Sequence, residues 1–583
     1  MKLITRKKTA TNIDALLASY IIFVAFIFSD FESLSALKHL ESSYLELTLI
    51  PALCVYLFAV NRCLDLRRLW QFFLGSKIRI GILLLNIFAI FSAFLFKPNN
   101  WDSLTYHLPR IEHWLQNHTL TNYPTDISRQ LWEPPFGDFL TAVPHALFGT
   151  DNFDALFSVI SLMVFEISIY RILTRLGIHG DRLDCAIAIA LTPMVVLEST
   201  TTQVDLRGAA IGLAAISLLL STTRRYSLVF VLGIALAGGI KITSVIPLVP
   251  LFYLGIRQFR GIRGIRWFIQ SIPFAVIGVC LNIPWMLRNL NTFGTLSGPA
   301  SASDTSGFAI LKIALSPGLY LARLTGFLFI NIGQPKFNFF THLLMGVANP
   351  VLSVYRYLDF PRSHYWPQLS QSGFGINEDL APNSIVIATF LAVCIYLLIK
   401  RRFVVALFVA SPLLLFNLFV EWQAFENRFF LGGFAVLGIL IIFSLHTDNQ
   451  IILRLLKYSA FTSLICSAIF LLFSGDRGVV RNQNFVFTKN AIGAYFNQQP
   501  SLAIDYNSLR VFLKNNHISK VNLQGGENSW EYPLWAMNAD VSFRKALPGA
   551  QVVLCLDACP NFKKQTKPLA IFGKTISLYR EGT

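Results

Sequence analysis

The sequence predicts an α-helical polytopic membrane protein of about 13 spans that carries a small α/β domain at its C-terminal end. Three observations lead there. Apolar runs such as IIFVAFIF, ILLLNIFAIFSAFLF, AIAIALTPMVVL and IVIATFLAVCIYLLI recur along most of the 583 residues. With short flanks, each supplies the roughly 20 residues that cross a bilayer core as a helix. Charged residues make up only 14% of the chain, against about a quarter in a soluble domain, so a water-facing surface over so many helices is excluded. After residue 475 the pattern changes: NSLRVFLKNN reads as a helix, SKVNLQ, QVVLCL and LAIFGKTISLYR read as strands, and GG, PG and CP mark turns.

In chain order the candidate spans lie near 13–29, 45–60, 79–96, 152–173, 183–199, 206–221, 226–240, 242–256, 268–287, 384–400, 403–420, 430–445 and 458–474. Gly238, Gly239 and Lys241 interrupt the seventh and eighth, which read as a tight hairpin or one broken helix. The stretch 308–332 is apolar but broken by Lys312, Pro317 and Arg323, and reads as a helix lying on the outer interface. The domains are then 1–78 as an N-terminal two-helix extension, 79–474 as the membrane module with outer loops 97–151 and 288–383, and 475–583 as the outer domain.

The net charge of +17 does not indicate nucleic acid. Its cations form short clusters between spans, namely RCLDLRRLW, RLGIHGDR, TTRR, RQFRGIRGIR, KRR and ILRLLK. With the N-terminal RKK inside and each span crossing once, all of these fall on the cytosolic side, as the positive-inside rule requires. This is the pattern of a multi-pass plasma-membrane protein, a bacterial inner membrane protein, with its C-terminal domain extracytoplasmic. MKLITRKK opens onto an apolar stretch without a small-residue cleavage site, so a retained anchor is expected. Most of the eight cysteines sit in apolar runs. Cys555 and Cys559 do not, and a disulfide between them requires an oxidising compartment. No CxxC or HExxH pattern points to a metal, and no cofactor is expected.

The polar residues of the outer loops carry the functional reading. NNWDSLTYHLPRIEHW comes directly after the third span and holds Asp102, Tyr106, His107, Arg110, Glu112 and His113. Asp102, Tyr106 and Arg110 are spaced i, i+4, i+8, one face of a helix, with His113 three further along. An interfacial helix with a capping Asp and an aromatic anchor would look the same. Three more groups fall on the same side: Glu198, Gln203, Asp205 and Arg207 between the fifth and sixth spans; Lys241; and Glu421, Glu426 and Arg428 near the twelfth and thirteenth. Snorkelling explains any one of these but not their common side. Ionisable residues at membrane depth usually belong to a site, and acids with cations on one side suit an anionic ligand. Arg129 and Glu133 in RQLWEPPFGDFL are further candidates for the pocket, while Pro134 and Pro135 shape the loop.

WDSLTYHLP, RQLWEPPFGDFL, TTTQVDL, GGIKIT, IPWMLRNLNTFGTLSGP and ENRFFLGGF, in that order on alternating loops, resemble the GT-C superfamily of polyprenyl-phosphate-sugar-dependent glycosyltransferases. The nearest branch is similar to protein O-mannosyltransferases and aminoarabinose transferases, over roughly residues 80 to 583. The resemblance implies a GT-C-like module whose first outer loop supplies a catalytic acid, the place Asp102 holds. Many members carry a second acid next to it; here Ser103 stands there, which leaves Glu112 or Asp205 as the assisting carboxylate. It further implies an inverting transfer from a polyprenyl-phosphate-linked sugar donor to a glycan, lipid or protein acceptor. Asp102 then acts as base, and Lys241, Arg428 and Arg110 or Arg288 clamp the donor phosphate. Tyr106, His107 and Trp101 are candidates to stack on sugar or isoprenoid, and no DxD-like pair chelates a metal. Two other classes remain. A transporter or flippase for a lipid-linked glycan predicts mid-span charges and repeated hydropathy, and neither occurs. A non-catalytic scaffold predicts that Asp102 is dispensable.

Overall fold

The structure is a computed structural model. It describes all residues except 1, 64, 258, 260–261, 300–380, 421–425, 446–448, 481, 489–490, 558–566 and 581–583, and excepts the side chains of 2–11, 66, 68, 69, 262, 263 and 426. The helix expected at 308–332, most of loop 288–383, Glu421, the Glu426 side chain and Cys559 therefore lie outside the described residues.

Within them the chain is mainly helical. Six helices are long and apolar enough to cross a membrane: Asn12–Leu37, Ser42–Cys63, Lys77–Leu95, Asp151–Arg175, Gly264–Phe293 and Gln450–Phe473. Ile242–Ile256, Ser384–Ile399, Phe403–Phe419 and Leu431–Ser444 are shorter apolar helices. Asp205–Leu219 forms the centre of the bundle, every residue of it buried, with Leu156–Arg175 and Arg224–Ile240 packed against it.

Two expected spans are not continuous helices. The one near 183–199 divides into Asp181–Ala190 and Pro193–Glu198. Pro193 lacks an N–H to continue the first helix but suits the first turn of a new one, and the Thr192 hydroxyl caps that turn by accepting from Val195 N at 3.4 Å. The pair near 226–256 is a helix, Arg224–Ile240, that stops at Lys241 and resumes through two 3₁₀ turns as Val249–Ile256. Lys241 itself is extended, with φ −158° and ψ 114°.

The charged loops sort onto two ends. At one end Arg175 contacts Thr222 and Ser221, Lys457 pairs with Asp181 and Arg79 pairs with Asp184. These loops are among those whose basic character leads to the expectation of a cytosolic side. At the other end Lys97 pairs with Asp151 at 2.6 Å, and Asn99 donates to the Asp476 carbonyl at 2.6 Å.

The C-terminal region opens with the helix Pro500–Asn515 and builds a five-stranded sheet: β1 Lys520–Gln524, β2 Ser542–Arg544, β3 Val552–Leu556, β4 Ala570–Phe572 and β5 Ile576–Arg580. The order is β2-β1-β3-β5-β4, with β1 parallel to β2 and β3, and β5 antiparallel to β3 and β4. Val521 pairs with Val552, and β3 is buried along its length. Gly573, at φ 61°, turns the expected single strand 569–580 back into β4 and β5. Cys555 is disulfide-bonded. WEYPLW docks this domain onto the membrane end: Trp530 meets Trp101 edge to face at 5.4 Å, and Gln130 Nε2 donates to Glu531 Oε2 at 2.6 Å.

Candidate functional site

After Lys77–Leu95 the chain turns helical again at Trp101 and Asp102. From Ser103 to His107 the chain makes a π-helical turn, then continues as the α-helix Leu108–Asn117. A π turn adds a residue per turn and rotates the succeeding residues relative to an α-helix, and such turns are frequent at functional sites. The single face expected of Asp102, Tyr106, Arg110 and His113 is therefore split.

Asp102 lies between two guanidiniums. Its Oδ2 is 2.7 Å from Arg428 Nη2, and its Oδ1 is 3.4 Å from Arg129 Nη1. Burial alone would raise the carboxyl, but Arg428, Arg129 and His107 outweigh it and hold Asp102 well below the usual carboxylate range. Tyr106 flanks the group, with the Arg129 guanidinium 5.0 Å above its ring, and burial beside Asp102 and Glu133 pushes its phenol far up. Arg428 and Lys241 lie over the same Phe429 ring, at 5.2 and 4.5 Å. Lys241 Nζ is 3.2 Å from Asp205 Oδ1 in the first turn of Asp205–Leu219. The glycines explain how these elements come so close. A Cβ on Gly208 would stand 2.7 Å from Ser244 Oγ, and one on Gly432 would stand 3.3 Å from the Ser244 carbonyl.

Asp102, Tyr106, Arg129, Lys241, Asp205 and Arg428 thus gather at one end of the bundle. Several expected members do not join them. Arg110 is 1% exposed and is taken up by protein: its Nε is 3.0 Å from Asp138 Oδ2, and its Nη atoms donate to the carbonyls of Glu133 and Arg129. It holds the Arg129 backbone in place rather than facing a ligand. Arg288 forms a two-point pair with Glu32 at 2.7 and 2.8 Å, so it belongs to a helix–helix lock. Glu112 accepts from His145 Nε2 at 3.2 Å, and His145 Nδ1 is 3.0 Å from Asp154. Burial would lower His145, but the two carboxylates prevail and raise it well above the usual imidazole value. Ser103, next to Asp102, contacts the Thr202 hydroxyl. His113 packs on Tyr123 and Trp535, and burial with nearby Arg544 lowers it to about 3, so it is neutral at pH 7.

Asp138 was not anticipated. It is wholly buried, 2.6 Å from His107 Nδ1, and it also holds Arg110. An acid inside the apolar run FGDFLTAV was a visible signal, because a buried carboxylate needs partners. Arg207 is also fully buried and donates to the Gly137 carbonyl, Thr141 and Ser158, so it ties three helices together. The described residues contain no group of three or more His, Cys, Asp and Glu arranged to hold a metal ion.

No known family matches the sequence, and none of the curated proteins does. Among solved structures the chain is similar to ArnT from Cupriavidus metallidurans, both bound to undecaprenyl phosphate and in the apo state. The TM-scores are 0.44 and 0.43 at 11% identity, and each overlap covers 86% of this chain and 97% of the other. The roles of individual residues rest on the geometry of the site, not on this overlap.

Proposed function

We propose that the chain is a membrane glycosyltransferase that moves a sugar from a polyprenyl-phosphate donor to an extracytoplasmic acceptor, a glycolipid, polysaccharide or protein. One observation carries this reading: Asp102 sits between Arg129 and Arg428, with the Lys241–Asp205 pair across the Phe429 ring, where the apolar helices end. A lipid phosphate has its tail among apolar helices and its charge at their ends, and three converging cations suit that charge.

The Asp102 carboxylate occupies the position that a donor phosphate would take between the two guanidiniums. A carboxylate held so strongly is a weak base. Once a phosphate engages Arg428 and Arg129, the carboxylate loses that stabilisation and its basicity rises, so base strength depends on donor binding. The acceptor hydroxyl oxygen then attacks the anomeric carbon and its proton passes to Asp102. The bond from that carbon to the phosphate oxygen breaks, and the electron pair leaves with the polyprenyl phosphate. Arg428, Arg129 and Lys241 stabilise the charge gained there. Attack opposite the leaving group inverts the anomeric centre. Asp205 positions Lys241, and Tyr106 supports Arg129.

The test uses purified full-length protein in nanodiscs with a series of polyprenyl-phosphate sugars and envelope glycolipid fractions. Removing a positioned base typically costs about 10²–10⁴-fold in rate, so Asp102→Asn is expected to lose that much transfer while remaining folded. Full activity in folded Asp102→Asn protein would overturn the assignment and favour a scaffold. Movement of the intact lipid-linked sugar without transfer would favour a flippase.

A further inference from the structure

Where the C-terminal domain meets the first outer segment lies a half-open cavity of about 380 Å³. That is within the range of small-molecule sites, roughly 300–1,000 Å³. Trp101, the residue before Asp102, forms one wall; Tyr506, Trp530, Gln499, Asn528 and Thr575 form much of the other. Two polar atoms buried just behind these walls, Trp530 Nε1 and Thr575 Oγ1, meet no hydrogen-bond partner among the described residues. Trp530 is 4% exposed. A buried polar atom without a partner is costly, so turning either side chain towards a ligand that supplies a partner is favoured. The cavity is also wired to the site. Arg129 Nη2 donates to Asn528 Oδ1 at 2.8 Å and to the Glu527 carbonyl at 3.1 Å, while its Nη1 is 3.4 Å from Asp102 Oδ1.

We propose that this seam is the acceptor subsite and that it takes a neutral glycan, an inference that rests on the glycosyltransferase reading. Among the described residues the lining includes the acids Glu527 and Asp557 and no Lys or Arg, which disfavours a phosphate or carboxylate. Aromatic side chains beside amide, hydroxyl and carboxylate groups match a pyranose, which offers an apolar C–H face and hydroxyls that both donate and accept. Trp530 Nε1 can only donate, and once turned towards the cavity it finds its acceptor in a sugar oxygen. The cavity borders Trp101, so an acceptor seated in it has its next unit beside Asp102.

The experiment uses full-length protein in detergent and a panel of neutral gluco-, manno- and galacto-trisaccharides. Binding is read by saturation-transfer NMR and by tryptophan fluorescence. At least one trisaccharide is expected to bind. Thr575→Val keeps the side-chain shape and Trp530→Phe keeps an aromatic ring, and each is expected to weaken binding about five- to tenfold, the worth of one hydrogen bond. Arg428→Ala is expected to lose transfer and keep trisaccharide binding. The subsite is overturned if no trisaccharide binds, if both variants bind like wild type, or if a Ser/Thr peptide binds where no trisaccharide does. If trisaccharides bind as expected but no polyprenyl-phosphate sugar is transferred, the glycosyltransferase reading fails and the glycan site stands. If transfer occurs and the variants bind normally, the subsite alone fails.

Discussion

The bundle holds an acid between two arginines at each end, and the two arrangements differ in kind. At one end Asp14 takes Arg171 at 2.5 and 2.9 Å, Arg175 at 2.7 Å and the Ser221 hydroxyl at 2.7 Å. The carboxylate thus accepts four hydrogen bonds, three of them on Oδ2, and the residue is 1% exposed. At the other end Asp102 has one contact of 2.7 Å and one of 3.4 Å, and Arg129 also serves the C-terminal domain. The same two residue types make a lock in one place and an exchangeable anion position in the other. Saturation of the carboxylate, and not its burial, separates them.

The sharpest way to break this comparison is to neutralise each acid in turn. Asp14→Asn leaves the buried Arg171 and the half-buried Arg175 uncompensated, a loss of about 3–5 kcal/mol. It is expected to lower the thermal midpoint and the yield of folded protein, while the protein that does fold turns over near the wild-type rate. Asp102→Asn is expected to lose transfer, with a smaller fall in midpoint than Asp14→Asn because one of its two arginines stands off at 3.4 Å. If both variants lose stability and neither loses turnover, the two ends are the same kind of structure. Thermal shift beside a transfer assay decides it.

Next in size are the cations. Arg428→Ala removes the 2.7 Å partner and the guanidinium over Phe429, and a loss of about 10²-fold in kcat/KM is expected, in the range for one charge-stabilising group. Lys241→Met is smaller, because Lys acts as a point charge. Donor KM is expected to rise about tenfold with a lesser change in kcat. An unchanged donor KM would place the phosphate away from Lys241. Arg171→Ala at the lock is expected to leave donor KM alone.

The difference between the two ends was only partly legible in the sequence. Residue spacing placed Asp102, Arg428 and Lys241 on one side, because alternating hydrophobicity and basic loops fix which connections share an end. The apolar periods also located the long helices, and the Val-rich runs located β1 and β3. Spacing could not reveal partners. Arg110 stood on the expected face of an α-helix, but the π turn at Ser103–His107 turned it to Asp138. Glu112 was nearest in sequence to Asp102 yet belongs to His145. The Asp14 lock was invisible, since its arginines lie 157 and 161 residues away. β2 is three residues long and paired only through β1, so it left no pattern to read.

The smallest effect concerns the seam that couples Arg129 to the C-terminal domain. Burial raises Glu531 to about 8, more than its hydrogen bond from Gln130 lowers it. A carboxyl whose folded value lies above its unfolded one favours the folded state while both forms are protonated. That advantage is present below the unfolded value, near 4.5, and is lost as pH rises towards 8. Between pH 5 and pH 8 the thermal midpoint of the wild type is therefore expected to fall. Glu531→Gln keeps a partner for Gln130 without the ionisation, and it is expected to remove roughly half of that fall, other groups supplying the rest. Asp102 predicts the opposite sign. Its folded value is depressed, so its contribution is intact across this window and fails only in strong acid, and Asp102→Asn is expected to leave the slope between pH 5 and pH 8 unchanged. A slope altered by Asp102→Asn and untouched by Glu531→Gln would show that the carboxylate titrates near neutrality, and the distinction between saturated lock and exchangeable anion position would have to be drawn elsewhere.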